Sequence, residues 1–241
     1  MPIHALAYRK EREELVTFRG GGLLNVFEKL GADPLERLSR PLRLRPAACF
    51  SADGKFAAFA EEREAILWNL EEDREEKRLK DWPGPLTASL AFSPEMDRLA
   101  AGSETGKLSV WDLRSGRETM SVSLGKRAVS RVRFSPDGRR LLCAVEEGVR
   151  VVNAADGAVL LTIPLKARAA FAALTPDRRF VLTAGLDGGV ALWDGASGQA
   201  HWSRTLPGAV LSADLSADGK TLLTANSNGT AFLFRIPDGP R

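Results

Sequence analysis

The residues able to do covalent or metal chemistry are few in this 241-residue chain, and they do not converge. Its two histidines are His4 and His201, and its two cysteines, Cys49 and Cys143, each lie in an apolar run. A metal site needs several imidazole, thiolate or carboxylate groups at one point, and an activated nucleophile needs a base beside it. The sequence shows no Gly-x-Ser-x-Gly elbow, no Cys-His arrangement, and too few histidines for most acid–base schemes. Gly20-Gly-Gly22 has the composition of a phosphate cradle but lacks the Lys-Ser/Thr ending and the helix such a loop requires, so it reads as a tight turn. Paired carboxylates can cleave a glycosidic bond when they face each other across a sugar. Glu61-Glu62 and Glu146-Glu147 instead sit at one recurring turn of the sequence. The chain is therefore read as a non-enzyme with no catalytic residue, cofactor or metal. Buried, unbridged thiols suit a reducing compartment and a cytoplasmic location.

Basic and aromatic residues show more pattern. Arg43 and Arg45, Lys126 and Arg127, and Lys166 and Arg168 stand five to eight residues before the first recurring anchor of their copy. Arg131 and Arg133 alternate with apolar residues just before one such anchor. Trp82 and Trp202 fall outside the recurring positions, which makes them candidate aromatic anchors for a partner or plugs on the outside of a sheet.

The elements that must position these residues follow from a repeat. Phe50-Ser-Ala-Asp-Gly, Phe92-Ser-Pro-Glu-Met, Phe134-Ser-Pro-Asp-Gly, Leu174-Thr-Pro-Asp-Arg and Leu215-Ser-Ala-Asp-Gly recur at spacings of 42, 42, 40 and 41, and one step back lands on Tyr8. A second anchor follows each by 18 or 19 residues: Phe27, Trp68, Trp111, Val152, Trp193 and Phe234. Within a copy the apolar residues have the two-residue period of strands, broken by turns in which Pro presets φ and Asp-Gly supplies a side-chain acceptor and a free φ. Each copy thus predicts four short strands: Val129 to Phe134, Arg140 to Val145, Val149 to Val152 and Ala158 to Pro164 in the fourth. A four-stranded unit of this size cannot bury both faces alone and must stack on its neighbours.

Composition agrees. With 44% hydrophobic and 27% charged residues the chain can fill a core, and a net charge of +3 with interspersed signs is far from a nucleic-acid footprint. No apolar run is long enough for a membrane-spanning helix, so neither a membrane nor a nucleic acid is an expected partner.

The Phe-Ser-Pro-Asp-Gly turn, the Leu-Ser-Val-Trp111-Asp112 and Val-Ala-Leu-Trp193-Asp194 endings, and the Asp112-Leu-Arg-Ser-Gly116 and Asp194-Gly-Ala-Ser-Gly198 turns resemble the WD-repeat (WD40) β-propellers over residues 3 to 239. The resemblance implies an all-β fold, a six-bladed WD40-like propeller in one domain over 1–241. Its blades run over about 3–41, 42–82, 83–125, 126–165, 166–206 and 207–239. The family's Gly-His pair is absent, and Asp187 stands where its buried Asp would be, so blades held mainly by aliphatic packing are expected. The resemblance also puts the basic loops on one rim with Glu61, Glu62, Glu104, Glu146, Glu147 and Asp187, and implies a scaffold for partner proteins or peptides. Two readings of that rim stand: mutual compensation between exposed charges, or a basic arc for an acidic or phosphorylated segment.

Strand counting gives five four-stranded blades and a sixth lacking its outer strand, with Gly229 to Ile236 as an apolar edge that invites self-association. Either the ring closes by packing of the first blade on the sixth, or the chain is part of a longer sensor or regulatory propeller completed in trans. By contrast, the run from Glu71 to Asp81 is charged densely enough to guard an outer strand.

Overall fold

The computed structural model describes residues 3–9, 14–19, 23–28, 35–41, 47–61, 64–80 and 87–237, with residues before 47 and residues 61, 87 and 88 described by their backbone. Among these residues every regular element is a strand, as the two-residue period requires. Six antiparallel sheets follow one another, each a simple meander. The first joins β1 (Ile3–Arg9), β2 (Glu14–Arg19), β3 (Leu23–Glu28) and β4 (Leu35–Pro41), and the second β5 (Ala48–Phe50), β6 (Phe56–Glu61), β7 (Glu64–Asn69) and β8 (Arg74–Leu79). The third holds β9 (Thr87–Phe92), β10 (Arg98–Ser103), β11 (Lys107–Asp112) and β12 (Glu118–Ser123). The fourth holds β13 (Arg131–Phe134), β14 (Arg140–Val145), β15 (Gly148–Asn153) and β16 (Val159–Pro164). In the fifth are β17 (Ala169–Leu174), β18 (Phe180–Gly185), β19 (Gly189–Asp194) and β20 (Ala200–Thr205). The sixth has three described strands, β21 (Val210–Leu215), β22 (Thr221–Asn226) and β23 (Ala231–Arg235).

The two sequence anchors prove to be members of one cross-strand row. Phe134 pairs with Leu141 and Leu141 with Val152; the same row reads Phe92, Leu99, Trp111 in the third sheet and Leu174, Val181, Trp193 in the fifth. The backbone register of the first sheet places Tyr8, Leu15 and Phe27 in that row. From the third sheet to the sixth each row faces the preceding sheet, and from the second to the fifth the residues one step along each strand face the following one. The core therefore lies between sheets. Leu67 of the second sheet packs with Leu99 and Trp111 of the third, Val110 with Leu141 and Val152, Leu142 and Val151 with Leu174 and Val181, and Leu182 and Leu192 with Leu222. These contacts are the expected aliphatic packing; within the fifth sheet Trp193 Nε1 donates to Thr183 Oγ1 at 2.9 Å.

The recurring turn has a cause that the sequence alone did not single out. Its Ser or Thr is buried at Ser51, Ser93, Ser135 and Thr175. In the fourth copy Ser135 Oγ donates to Asp137 at 2.6 Å and accepts the Arg140 N–H at 2.9 Å, closing the hairpin from inside. The pattern repeats at Ser51, Thr175 and Ser216, and in the third copy Ser93 reaches Asp97 instead. Gly54, Gly138 and Gly219 take φ of 68°, 67° and 71° in this turn, but Met96 and Arg178 hold the same left-handed position at 56° and 62°.

Candidate functional site

The inner strands β5, β9, β13, β17 and β21 lie side by side in sequence order, with β1 beside β5. Cavities at their two ends draw on the inner strands of sheets two to six, so these strands surround an axial channel. Its two mouths differ in charge.

At one mouth the loops that lead into β13 and β17 bring Lys126, Arg127, Ser130 and Arg168 together with Glu104 and Glu146 around a cleft of about 670 Å³. Arg127 Nε lies 2.6 Å from Glu146 Oε2, both side chains exposed, which is compensation across neighbouring loops and adds little stability. Arg168 also lines an adjoining cavity of about 450 Å³ at the channel mouth, with Arg131, Ser89, Ser130, Leu186 and Leu211. No carboxylate lines that cavity among the described residues, and neither arginine has an ion-pair partner among them. Exposed Lys166 sits on the same loop as Arg168.

Arg133 is not part of this group. It lines the opposite mouth, a cavity of about 350 Å³ walled by Phe92, Phe134, Leu174 and Leu215. There its Nη2 lies 3.7 Å from Asp214 Oδ1, and its guanidinium stands 5.3 Å from the centre of the Phe171 ring. A single residue of β13, Val132, thus separates an arginine of one mouth from an arginine of the other.

Arg43, Arg45 and Trp82 lie outside the described residues. Trp202, on β20, is half-buried against the core between the fifth and sixth sheets, and His201 beside it stacks 5.4 Å from Phe180. Sequence reasoning missed Ser130, Leu186 and Leu211 as wall residues of the basic mouth. Their only signal is a constant offset from the anchors, shared with residues elsewhere that do not reach the channel. The charged run is ordered on β8, where Arg78 bonds Glu64 and Glu75 and Arg74 lies 3.1 Å from Glu76.

Neither of the two cysteines has the lowered pKa of an activated nucleophile. Burial pushes the Cys143 thiol up, against the opposing pull of Arg150, and burial likewise pushes the Cys49 thiol up to about 12. Among the described residues no three His, Cys, Asp or Glu converge on a point where a metal could sit.

Four-stranded antiparallel meanders that stack through like faces around a channel define a β-propeller. Trp-Asp endings on β11 and β19 make it a WD-repeat one. The family described as Nucleolar protein 10-like, N-terminal domain, a β-propeller, matches residues 53–196, more than half of the chain, and the chain belongs to that family. Among curated proteins it is 27% identical over 155 residues to telomerase protein component 1 of Rattus norvegicus, covering 63% of this chain and 6% of that protein. It is 28% identical over 125 residues to the protein LST8 homolog of Drosophila melanogaster (48% and 40%) and 26% over 135 residues to the WD repeat-containing protein SL1-17 of Schistosoma mansoni (56% and 44%). The chain spans less than half the length of each of these relatives.

Proposed function

We propose that the chain is a non-enzymatic scaffold whose six sheets are the blades of one disc, and that its basic mouth and rim hold an acidic or phosphorylated segment of a partner protein. The observation that carries this reading is the convergence of Arg131 and Arg168 on one cavity of that mouth with no carboxylate in its wall among the described residues. Two guanidinium forks at one opening suit carboxylate or phosphate oxygens, which accept paired hydrogen bonds from them. Lys126, Arg127 and Lys166 would extend the field outward along the rim, with Arg43 and Arg45 on the matching loop of the second blade. A net charge of +3 favours this local contact over the long phosphate track of a nucleic acid.

Fluorescent peptides rich in glutamate or phosphoserine, with an uncharged peptide as control, test the reading. Acidic peptides should bind and the uncharged one should not. Replacing Lys126, Arg127, Lys166 and Arg168 together by Ser should abolish that binding, and the melting profile should hold because these side chains are exposed. Equal binding of charged and uncharged peptides, or full binding by the variant, would refute it.

A further inference from the structure

A strand that ends a sheet presents a row of backbone donors and acceptors, and charges along it keep other strands from adding there. The fourth strands of the first five sheets differ in that protection. Five of the six residues of β8 are charged, β4 carries Glu36, Arg37 and Arg40, β12 carries Glu118, and β20 carries Arg204. β16, Val159-Leu-Leu-Thr-Ile-Pro164, has no charge. It is the last strand of its sheet and, among the described residues, pairs only with β15. Val159 is 46% and Leu160 50% exposed, and Thr162 and Pro164 are exposed as well.

A β-bulge points to the same strand. In each of these five sheets the register between third and fourth strand skips one residue of the fourth, and the skipped residues are Arg37, Glu76, Thr119, Leu160 and His201. Only in the fourth sheet is that outward extra residue aliphatic. Further along β16 the Leu165 N–H turns inward to the Glu147 carbonyl at 3.2 Å, so strand alternation turns the N–H and C=O of Thr162 outward. Pro164, which has no N–H, falls at an outward position and ends the open stretch. Leu161 and Ile163 pack in the core shared with the fifth sheet and hold the strand in place.

The same strand of a second molecule complements this edge. Laid antiparallel about a two-fold axis near Leu161 and Thr162, it brings Val159 and Leu160 of each copy towards Thr162 and Ile163 of the other. Exposed Asp156, before one strand, then lies towards exposed Lys166, after the other. A parallel copy would set Asp156 against Asp156 and Lys166 against Lys166. Both residues are exposed, so the charges fix the sense of pairing more than its strength. We propose that β16 is the contact through which two copies of the chain join edge to edge, each adding its four-stranded sheet to the other's. The contact is isologous and closes at two copies. It uses neither mouth of the channel, shares only Lys166 with the rim reading, and leaves the edge from Gly229 to Ile236 out.

Sedimentation velocity over a wide concentration range tests it. The mass should rise from 26.1 kDa to twice that value and no further. Leu160→Lys, at an exposed position, and Thr162→Pro, which removes an outward N–H, should each stay at the single-chain mass with a melting profile close to the parent's. Asp156→Lys should weaken the dimer several-fold, and Asp156→Lys/Lys166→Asp should restore it. On mild oxidation Thr162→Cys should give a two-chain disulfide, whereas Ser203→Cys, exposed on β20, should not. A single-chain mass at every concentration overturns the proposal, as does a dimer that persists in both edge variants or a disulfide that forms equally well from Ser203→Cys. Growth beyond two copies overturns the two-fold closure, and a dimer indifferent to Asp156→Lys overturns the antiparallel sense.

Discussion

Replacing Ser135 by Ala should destabilise the protein by more than loss of one exposed hydroxyl would suggest. Ser135 is 0% exposed, and its Oγ both donates to Asp137 at 2.6 Å and accepts the Arg140 N–H at 2.9 Å. Alanine leaves that N–H without its side-chain acceptor and removes a bond to a carboxylate, together about 2 to 3 kcal/mol. For a chain of this size that corresponds to a fall in melting midpoint of roughly 5 to 10 °C. The loss should also depend on pH. Desolvation pushes the Asp137 carboxyl up, but Ser135, the Arg139 N–H and the Arg178 guanidinium outweigh it and hold the group at about 2. A carboxyl lowered by folding stabilises the fold above its ordinary range near 4, and that share disappears as the pH falls from about 4 towards 2. With the Asp137 side chain 24% exposed and solvent-screened, the share is about 1 kcal/mol. The variant has already lost much of it, so urea titrations should show a smaller gap from the parent at a pH of about 2 than near neutrality. Ser216→Ala, in the half-exposed turn of the sixth sheet, should cost less. A Ser135→Ala protein within about 0.5 kcal/mol of the parent, or a gap of equal size at both pH values, would refute the account of the turn.

Two further outcomes follow from the same geometry. Met96→Gly relieves a left-handed residue where three other copies carry glycine, and the relief outweighs the added freedom of the unfolded chain, so calorimetry should show a melting midpoint raised by about 2 °C; a lowered midpoint would mean that the Met96 side chain matters more than its φ. Neither thiol should react with Ellman's reagent in the folded protein at mildly alkaline pH, since burial holds Cys143 up and Cys49 at about 12, whereas both should react in denaturant. Rapid reaction of either one in the folded state would contradict that burial.

Features repeated within a copy were the ones most legible in the sequence. The anchors at Phe134 and Val152, the turn after Phe134, and the burial of Trp111 all follow from local periodicity and turn chemistry, which a single strand pair expresses by itself. Contacts made between copies were not legible. Arg178 reaches Asp137 at 2.9 Å, Arg98 reaches the Gly138 carbonyl at 2.9 Å, and the Val132 N–H donates to Ser89 Oγ at 2.9 Å, each across a sheet boundary. Their partners depend on how two sheets are offset, and alternation along one strand does not encode that offset. The same limit explains why Arg131 and Arg133 looked equivalent: alternation says that both face the channel, not that they open to different mouths. At the site, the loop position of Lys126, Arg127 and Arg168 could be read from their offset before the anchors, and the carboxylate-free wall around Arg131 could not.

The row shared by all six sheets makes length a quantised property. Removing one spacing of 40 to 42 residues sets the anchor row of one sheet against the same kind of face it already covered two sheets away. Removing an odd few residues from a strand turns its inward set outward and leaves no face to stack on. Such a protein can gain or lose a whole blade by duplication or deletion and keep every remaining interface. The loops that bear Arg168 and Lys126 would then change angular position around the axis without being rebuilt, and a partner spanning several blades would meet a different sector of the same surface.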